Sequence, residues 1–298
     1  MLRRSLRVEE RSWAMPERRE DADATVSKPE SRPLPLKRTE SFAGNREVLA
    51  LPEFAIETEE LVKVYREGSI RAVDGLNLRV KTGEIYALIG ANGSGKSTAV
   101  NMMTGALAPT SGRISVLGME MPRDRHTVSA HIGMAPQEYS LYSDLTVEQN
   151  VRFFARLYGM KMEDFEKRLS EVLGVLRLEG RRAAIVANLS GGMKRRASIA
   201  CALIHSPSLV FFDEATVGID PVLRAFFWQY FRSLSAGGLT ILLTSHVMDE
   251  AGKADRIGLL RAGKLIEEGE PQSLLARHNA ESIEEVFIKL SEKELSDE

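Results

Sequence analysis

The chain is 298 residues long, 43% hydrophobic and 28% charged, enough material to bury one large core or two small ones. Its formal net charge of -2, with lysines and arginines spread among acidic residues, offers no basic stripe to a phosphate backbone, and no nucleic-acid partner is expected. A lone cysteine, Cys201, excludes an internal disulfide or paired-cysteine metal site, and no window reaches the roughly 18–20 apolar residues that cross a bilayer, so a soluble chain in a reducing compartment is expected.

Residues 1–52 place Pro16, Pro29, Pro33 and Pro35 among charges with few clustered aliphatics. Such a segment buries too little surface to offset its ordering entropy and reads as a disordered tail, not a secretory signal; Met15 offers a second start. From Phe54 the pattern changes. Ala55–Glu59 and Leu76–Val80 alternate as half-buried strands do, and Glu84–Ile89 is an apolar run suited to a strand buried on both faces.

The next nine residues, Gly90-Ala91-Asn92-Gly93-Ser94-Gly95-Lys96-Ser97-Thr98, satisfy the phosphate-loop spacing G-x-x-x-x-G-K-[ST] between a strand and an expected helix, Ser97–Leu107. The glycines let backbone N–H groups converge on phosphate oxygens, and the helix N-terminus adds partial positive charge. Lys96 would neutralise the phosphates and Ser97 would offer its hydroxyl to Mg²⁺. Further on, Thr146–Tyr158 and Met162–Leu178 read as helices, the first capped by Thr146, the second with Phe165, Leu169, Val172, Leu173 and Leu176 on one face.

After about residue 207 strands and helices alternate again as Leu209–Phe212, Val222–Ser235 and Leu239–Thr244, the pattern of a parallel sheet with covered faces. Ser208–Glu214 is a buried strand delivering Asp213 and Glu214 to its C-terminal end, where open α/β sheets bind ligands. Alone, two acids at a strand end are a solvated terminus. Beside a phosphate loop, Asp213 would join the Mg²⁺ shell and Glu214 would polarise an attacking water.

Between these motifs lies Leu189-Ser190-Gly191-Gly192-Met193, opening a helix that runs to Leu203. By itself a serine before two glycines is a helix cap and an anion site. In this order the chain resembles ATP-binding-cassette (ABC) ATPases, whose signature has glutamine where Met193 stands. The resemblance covers about residues 54–278 and implies an α/β, P-loop NTPase-type mixed sheet with an antiparallel β edge and an inserted α-helical subdomain. The implied division is a tail at 1–52, an ATP-binding domain at 53–278 with its helical subdomain at about 138–190, and a C-terminal helix and tail at 279–298.

The resemblance also implies roles. Gln137, in Met134–Glu138, matches a Mg²⁺-ligating glutamine, and His246, in Leu243–His246, a histidine contacting the γ-phosphate and the catalytic acid. Tyr65 matches the aromatic that stacks on adenine. Asp220 matches a loop aspartate touching the partner subunit, and is equally an N-cap for the helix at Pro221. Ala215-Thr216-Val217 stands where proline-threonine-serine is commoner, which removes a rigid residue but no chemical group.

Ser190, Gly191 and Gly192 face the other subunit's nucleotide in this family, so one set of motifs per chain implies a homodimer with two ATP and Mg²⁺ sandwiched between subunits. It further implies a separate transmembrane permease docked near Tyr139, Leu141 and Tyr142; the other reading of those side chains is that they close the small helical core. The chain is then a peripheral ATPase on the cytoplasmic face of the membrane. Glu281–Leu290, with its stripe Ile283, Val286, Phe287 and Leu290, and Lys194-Arg195-Arg196 resemble drug-efflux subunits, favouring export. The alternative is a soluble assembly ATPase of the iron–sulfur type. A ribosome-acting factor would carry two cassettes, and a chromosome-maintenance ATPase would need long heptads within 99–188.

Overall fold

The structure, a computed structural model, describes residues 50–65, 69–216 and 219–297. The tail expected over 1–52 lies, except for 50–52, outside the described residues, as do Val217 and Gly218.

The first strands are β1 (Phe54–Tyr65) and β2 (Ile70–Lys81). In β2, Leu76, Leu78 and Val80 are buried while Asn77, Arg79 and Lys81 face solvent, the period-two pattern of a sheet wet on one side. With β4 (Ser111–Val116) and β5 (Met119–Met121) they form an antiparallel sheet ordered β2-β1-β4-β5. An antiparallel sheet can keep such a wet face, whereas strands covered on both sides cannot.

The second sheet is ordered β10-β9-β3-β8-β7-β6, from β3 (Ile85–Ile89), β6 (Ile132–Ala135), β7 (Leu209–Asp213), β8 (Thr240–Ser245), β9 (Arg256–Arg261) and β10 (Lys264–Gly269). Only the β10–β9 pairing is antiparallel, so this sheet is mixed with an antiparallel edge. Its central strands are buried on both sides. Ile85, Ala87 and Ile89 of β3 enter one core, and Tyr86 and Leu88 the other. Full burial of Phe211 and Phe212 on opposite faces of β7 contributes roughly 1.5–3 kcal/mol each.

α1 (Lys96–Met103) follows β3 and packs in the core shared with the antiparallel sheet. It stops short of the expected Leu107 because the chain turns left-handed at Gly105 (φ 74°). After α2 (Arg125–Ser129), the segment between β6 and β7 holds α3 (Val147–Leu157), α4 (Met162–Val175) and α5 (Gly191–Leu203). Thr146 starts α3 with a capping box: its hydroxyl accepts from Gln149 N at 3.1 Å, and its own N–H donates to Gln149 Oε1 at 2.8 Å. All five residues of the α4 stripe are buried, although α4 ends at Val175, before a left-handed turn at Arg177.

α6 (Pro221–Ala236) separates β7 from β8. Beyond β10 come α7 (Pro271–His278), which the sequence reading did not anticipate, and α8 (Ile283–Asp297). Ile283 and Val286 of α8 are buried in the helix-side core, with Phe287 and Leu290 packed against it.

Candidate functional site

The phosphate-like loop leaves β3 at Gly90 and enters α1 at Lys96. Two of its glycines are sterically required. A Cβ at Gly90 would lie 2.2 Å from the Leu260 carbonyl oxygen, and one at Gly95, where φ is 107°, would lie 2.3 Å from that of Ala72. The loop walls a cavity of about 330 Å³ whose lining includes Asn92, Lys96, Ser97, Thr98, Gln137 and Glu214.

Lys96 is buried at the loop's base, where Nζ donates to the carbonyls of Gly90 at 2.8 Å and Ala91 at 3.0 Å. Desolvation lowers its pKa, while Glu214 and Asp213 pull the other way. Ser97 Oγ lies 3.3 Å from Asp213 Oδ1. Asp213 ends β7 and also accepts the Thr244 hydroxyl from β8. Sequence reading missed the role of Thr244; its only signal was one hydroxyl among three in β8, with Thr240 and Ser245.

Glu214 leaves the strand in the left-handed region at φ 51°, a conformation costing about 1–3 kcal/mol for a non-glycine residue. Its N–H donates to Thr244 O at 3.2 Å and to Thr244 Oγ1 at 3.1 Å. One carboxylate oxygen accepts from Gln137 Nε2 at 3.1 Å, and the other faces His246 Nδ1 at 3.2 Å. Three loops after β6, β7 and β8 thus meet at one buried carboxylate. A water held by Glu214 would be polarised toward an acceptor lying over Lys96.

The oxygens of Ser97, Asp213 and the Gln137 amide are a hard-donor set fitting Mg²⁺. Among the described residues no cluster of three His, Cys, Asp or Glu could hold a metal by itself.

The remaining sequence candidates lie apart from the cavity. Ser190 and Gly191 are exposed at the start of α5, where the serine hydroxyl accepts from Met193 N at 3.3 Å, and neither they nor Gly192 line it. Asp220 caps α6 through Leu223 N at 2.9 Å. Tyr65 ends β1 with 37% exposure and Lys63 over its ring, outside the cavity lining. Cys201 is buried, as its apolar neighbours imply, and burial raises its thiol pKa. Thr216, in the departing Ala215-Thr216-Val217, donates to buried Glu250, which pairs with Arg224 at 3.0 Å; no sequence motif marked this contact.

Comparisons with known proteins converge on the same reading. A family model described as "ABC transporter" matches residues 73–217. The probable multidrug ABC transporter ATP-binding protein YbhF of Escherichia coli (strain K12) is 42% identical over 243 residues, covering 80% of this chain and 42% of that protein. The chain thus spans about two fifths of that relative's length. The Nod factor export ATP-binding protein I of Paraburkholderia xenovorans (strain LB400) is 40% identical over 238 residues, 80% of this chain and 78% of that protein. Among solved structures, the dimeric post-hydrolysis state of the ATP-binding cassette MJ0796 bound to ADP and Pi matches with a TM-score of 0.67. It is 27% identical and covers 72% of this chain and 98% of that one. With a phosphate loop, an acid-ended strand and a serine–glycine–glycine helix start set on this two-sheet frame, the chain belongs to the ABC transporter family as an ATP-binding cassette.

Proposed function

We propose that the chain binds and hydrolyses ATP as the motor subunit of an exporter, working as a homodimer on a separately encoded permease at the cytoplasmic face of the membrane. The observation that carries this is Glu214, buried between Gln137 and His246 on the cavity that Lys96 closes. The loop 90–98 cradles the phosphates through its N–H groups, and Lys96 exchanges its loop carbonyls for phosphate oxygens. Tyr65 stacks on adenine. Ser97, Asp213 and Gln137 would hold Mg²⁺, which would supply positive charge to the phosphates.

Glu214 accepts a hydrogen bond from the attacking water and orients it in line with the γ-phosphate. His246 holds the second carboxylate oxygen and stands next to that phosphate. Because Ser190 and the two glycines lie outside their own chain's cavity, the serine reaches a nucleotide only from a second subunit, with Asp220 at the same contact. ATP then closes the pair, and hydrolysis lets it open.

The relatives named for multidrug and Nod factor export support the direction of transport. Among the described residues no helix is long and apolar enough to cross a membrane. The test is Glu214→Gln, which keeps the shape but loses the carboxylate. ATP should still bind, measured by equilibrium titration, while turnover falls by about 10²–10⁴-fold. Turnover at the wild-type rate would remove Glu214 from this role.

A further inference from the structure

Arg195 belongs to the basic run after the signature, and the ATPase reading leaves it without a task. It is only 5% exposed, a burial that an arginine tolerates when its donors are satisfied. Its partners are backbone carbonyls of the segment that carries Gln137. Nη1 donates to Pro136 O at 2.7 Å and Nη2 to Gln137 O at 2.8 Å. The same guanidinium lies 5.0 Å from the centroid of the Tyr139 ring.

Residues 136–140 have no helix or strand of their own, so their position comes from what grips them. The grip sits on α5, five residues after Ser190 and within the same rigid helix. The side-chain amide of the gripped Gln137 itself reaches Glu214. Arg195, Gln137 and Glu214 are therefore linked by hydrogen bonds, and the backbone of α5 joins Arg195 to the exposed Ser190 at the helix start.

We propose that Arg195 is a positioning residue that sets Gln137 against Glu214, so that a shift of α5 at its serine end is delivered to the hydrolytic carboxylate of the same subunit. The planar fork of arginine suits this task because two donors meet two successive carbonyls. A lysine ammonium is a single point that holds one at a time. The proposal rests on the ATPase reading.

A double-mutant cycle separates positioning from bulk stabilisation. In wild type, Arg195→Gln, Gln137→Ala and the pair, kcat and KM for ATP are measured alongside the thermal midpoint. Each single change should lower kcat about tenfold with KM within about twofold, and the pair should fall no further than Gln137→Ala alone. The thermal shift caused by Arg195→Gln should be equal in both backgrounds. Without nucleotide, hydrogen exchange over residues 134–139 should rise in Arg195→Gln, and Arg195→Lys should lie between it and wild type.

Multiplying kcat losses, or a lower midpoint with unchanged kcat, would overturn the proposal in favour of a structural arginine. If Arg195→Gln does not fold, Arg195→Lys carries the same cycle. A wild type that never turns over ATP would sink the ATPase reading instead, and the exchange arm would still decide whether Arg195 holds the segment: unchanged protection over 134–139 would overturn the grip itself.

Discussion

Asp213 and Glu214 are neighbours in sequence, and the end of β7 falls between them. The left-handed turn at Glu214 parts their carboxylates, sending Asp213 to Ser97 and Thr244 and Glu214 to Gln137 and His246. Met193 is divided in a comparable way. Its backbone N–H serves the Ser190 hydroxyl, whereas its side chain packs on the helix-side core. Met193→Gln should therefore leave turnover within about threefold of wild type, since the cap is untouched and the cost is one partly buried thioether. A change of orders of magnitude in steady-state ATPase would mean that the side chain itself meets nucleotide. At this scale the phosphate loop was legible from spacing, and the acid strand only beside it. Gln137 and His246 were not: a single polar residue in a loop carries no period, and only resemblance singled them out. The contacts of Thr244 and Arg195 went unseen because their partners are a carboxylate and backbone groups brought close only by folding.

The helical segment is tied by ion pairs rather than by helix contacts alone. Glu148 of α3 accepts from Arg182 Nε at 2.6 Å and from Arg152, and Glu166 of α4 accepts from Arg182 at 2.6 Å and Arg152 at 2.9 Å. Hydrogen bonds from Arg182, then Arg152, hold the Glu148 pKa at about 2, below the ordinary 4.5. A carboxylate with a lowered folded-state pKa stabilises the fold fully above the unfolded value and loses that contribution as pH falls through the folded one. Because these pairs are partly solvated, Glu148→Gln should cost about 1 kcal/mol at neutral pH. In denaturant melts, the gap between wild type and variant should narrow as pH falls from about 4.5 toward about 2. A gap independent of pH would assign the effect to packing. Among elements, α4 and the central strands were plain in the sequence because their apolar periods are unbroken. β10 and α7 were not, since β10 is only half-buried and α7 buries just Pro271 and Leu274.

At the scale of the whole molecule, Tyr139, Leu141 and Tyr142, expected either to meet a permease or to close the helical core, differ in exposure. Leu141 packs against the core and Tyr139 is taken by Arg195, but Tyr142 is 50% exposed and its ring meets Phe153 edge-on at 4.9 Å. Phe153 and, 64% exposed, Leu157 extend this apolar patch along α3, away from the buried Val147, Val151 and Ala155. Tyr142→Glu with Leu157→Glu should release the protein from membranes that contain its permease without lowering its thermal midpoint. Retention at the wild-type level would move the docking face elsewhere. The division into two sheets was the least legible feature, because alternation along a strand reveals its wet face but not which sheet it joins. The exposed position of Ser190, outside the cavity of its own chain, bears on inheritance as well as on chemistry. In the proposed homodimer, two defective alleles, Lys96→Ala and Ser190→Arg, would each give pairs with no working site. Mixed pairs contain one site built wholly from undamaged halves. If the two are expressed together in equal amounts, half of the random pairs are mixed, and about a quarter of wild-type ATPase should return. A cell carrying both broken copies would then export where neither alone can, and no recovery in the mixture would mean that each chain completes its own site.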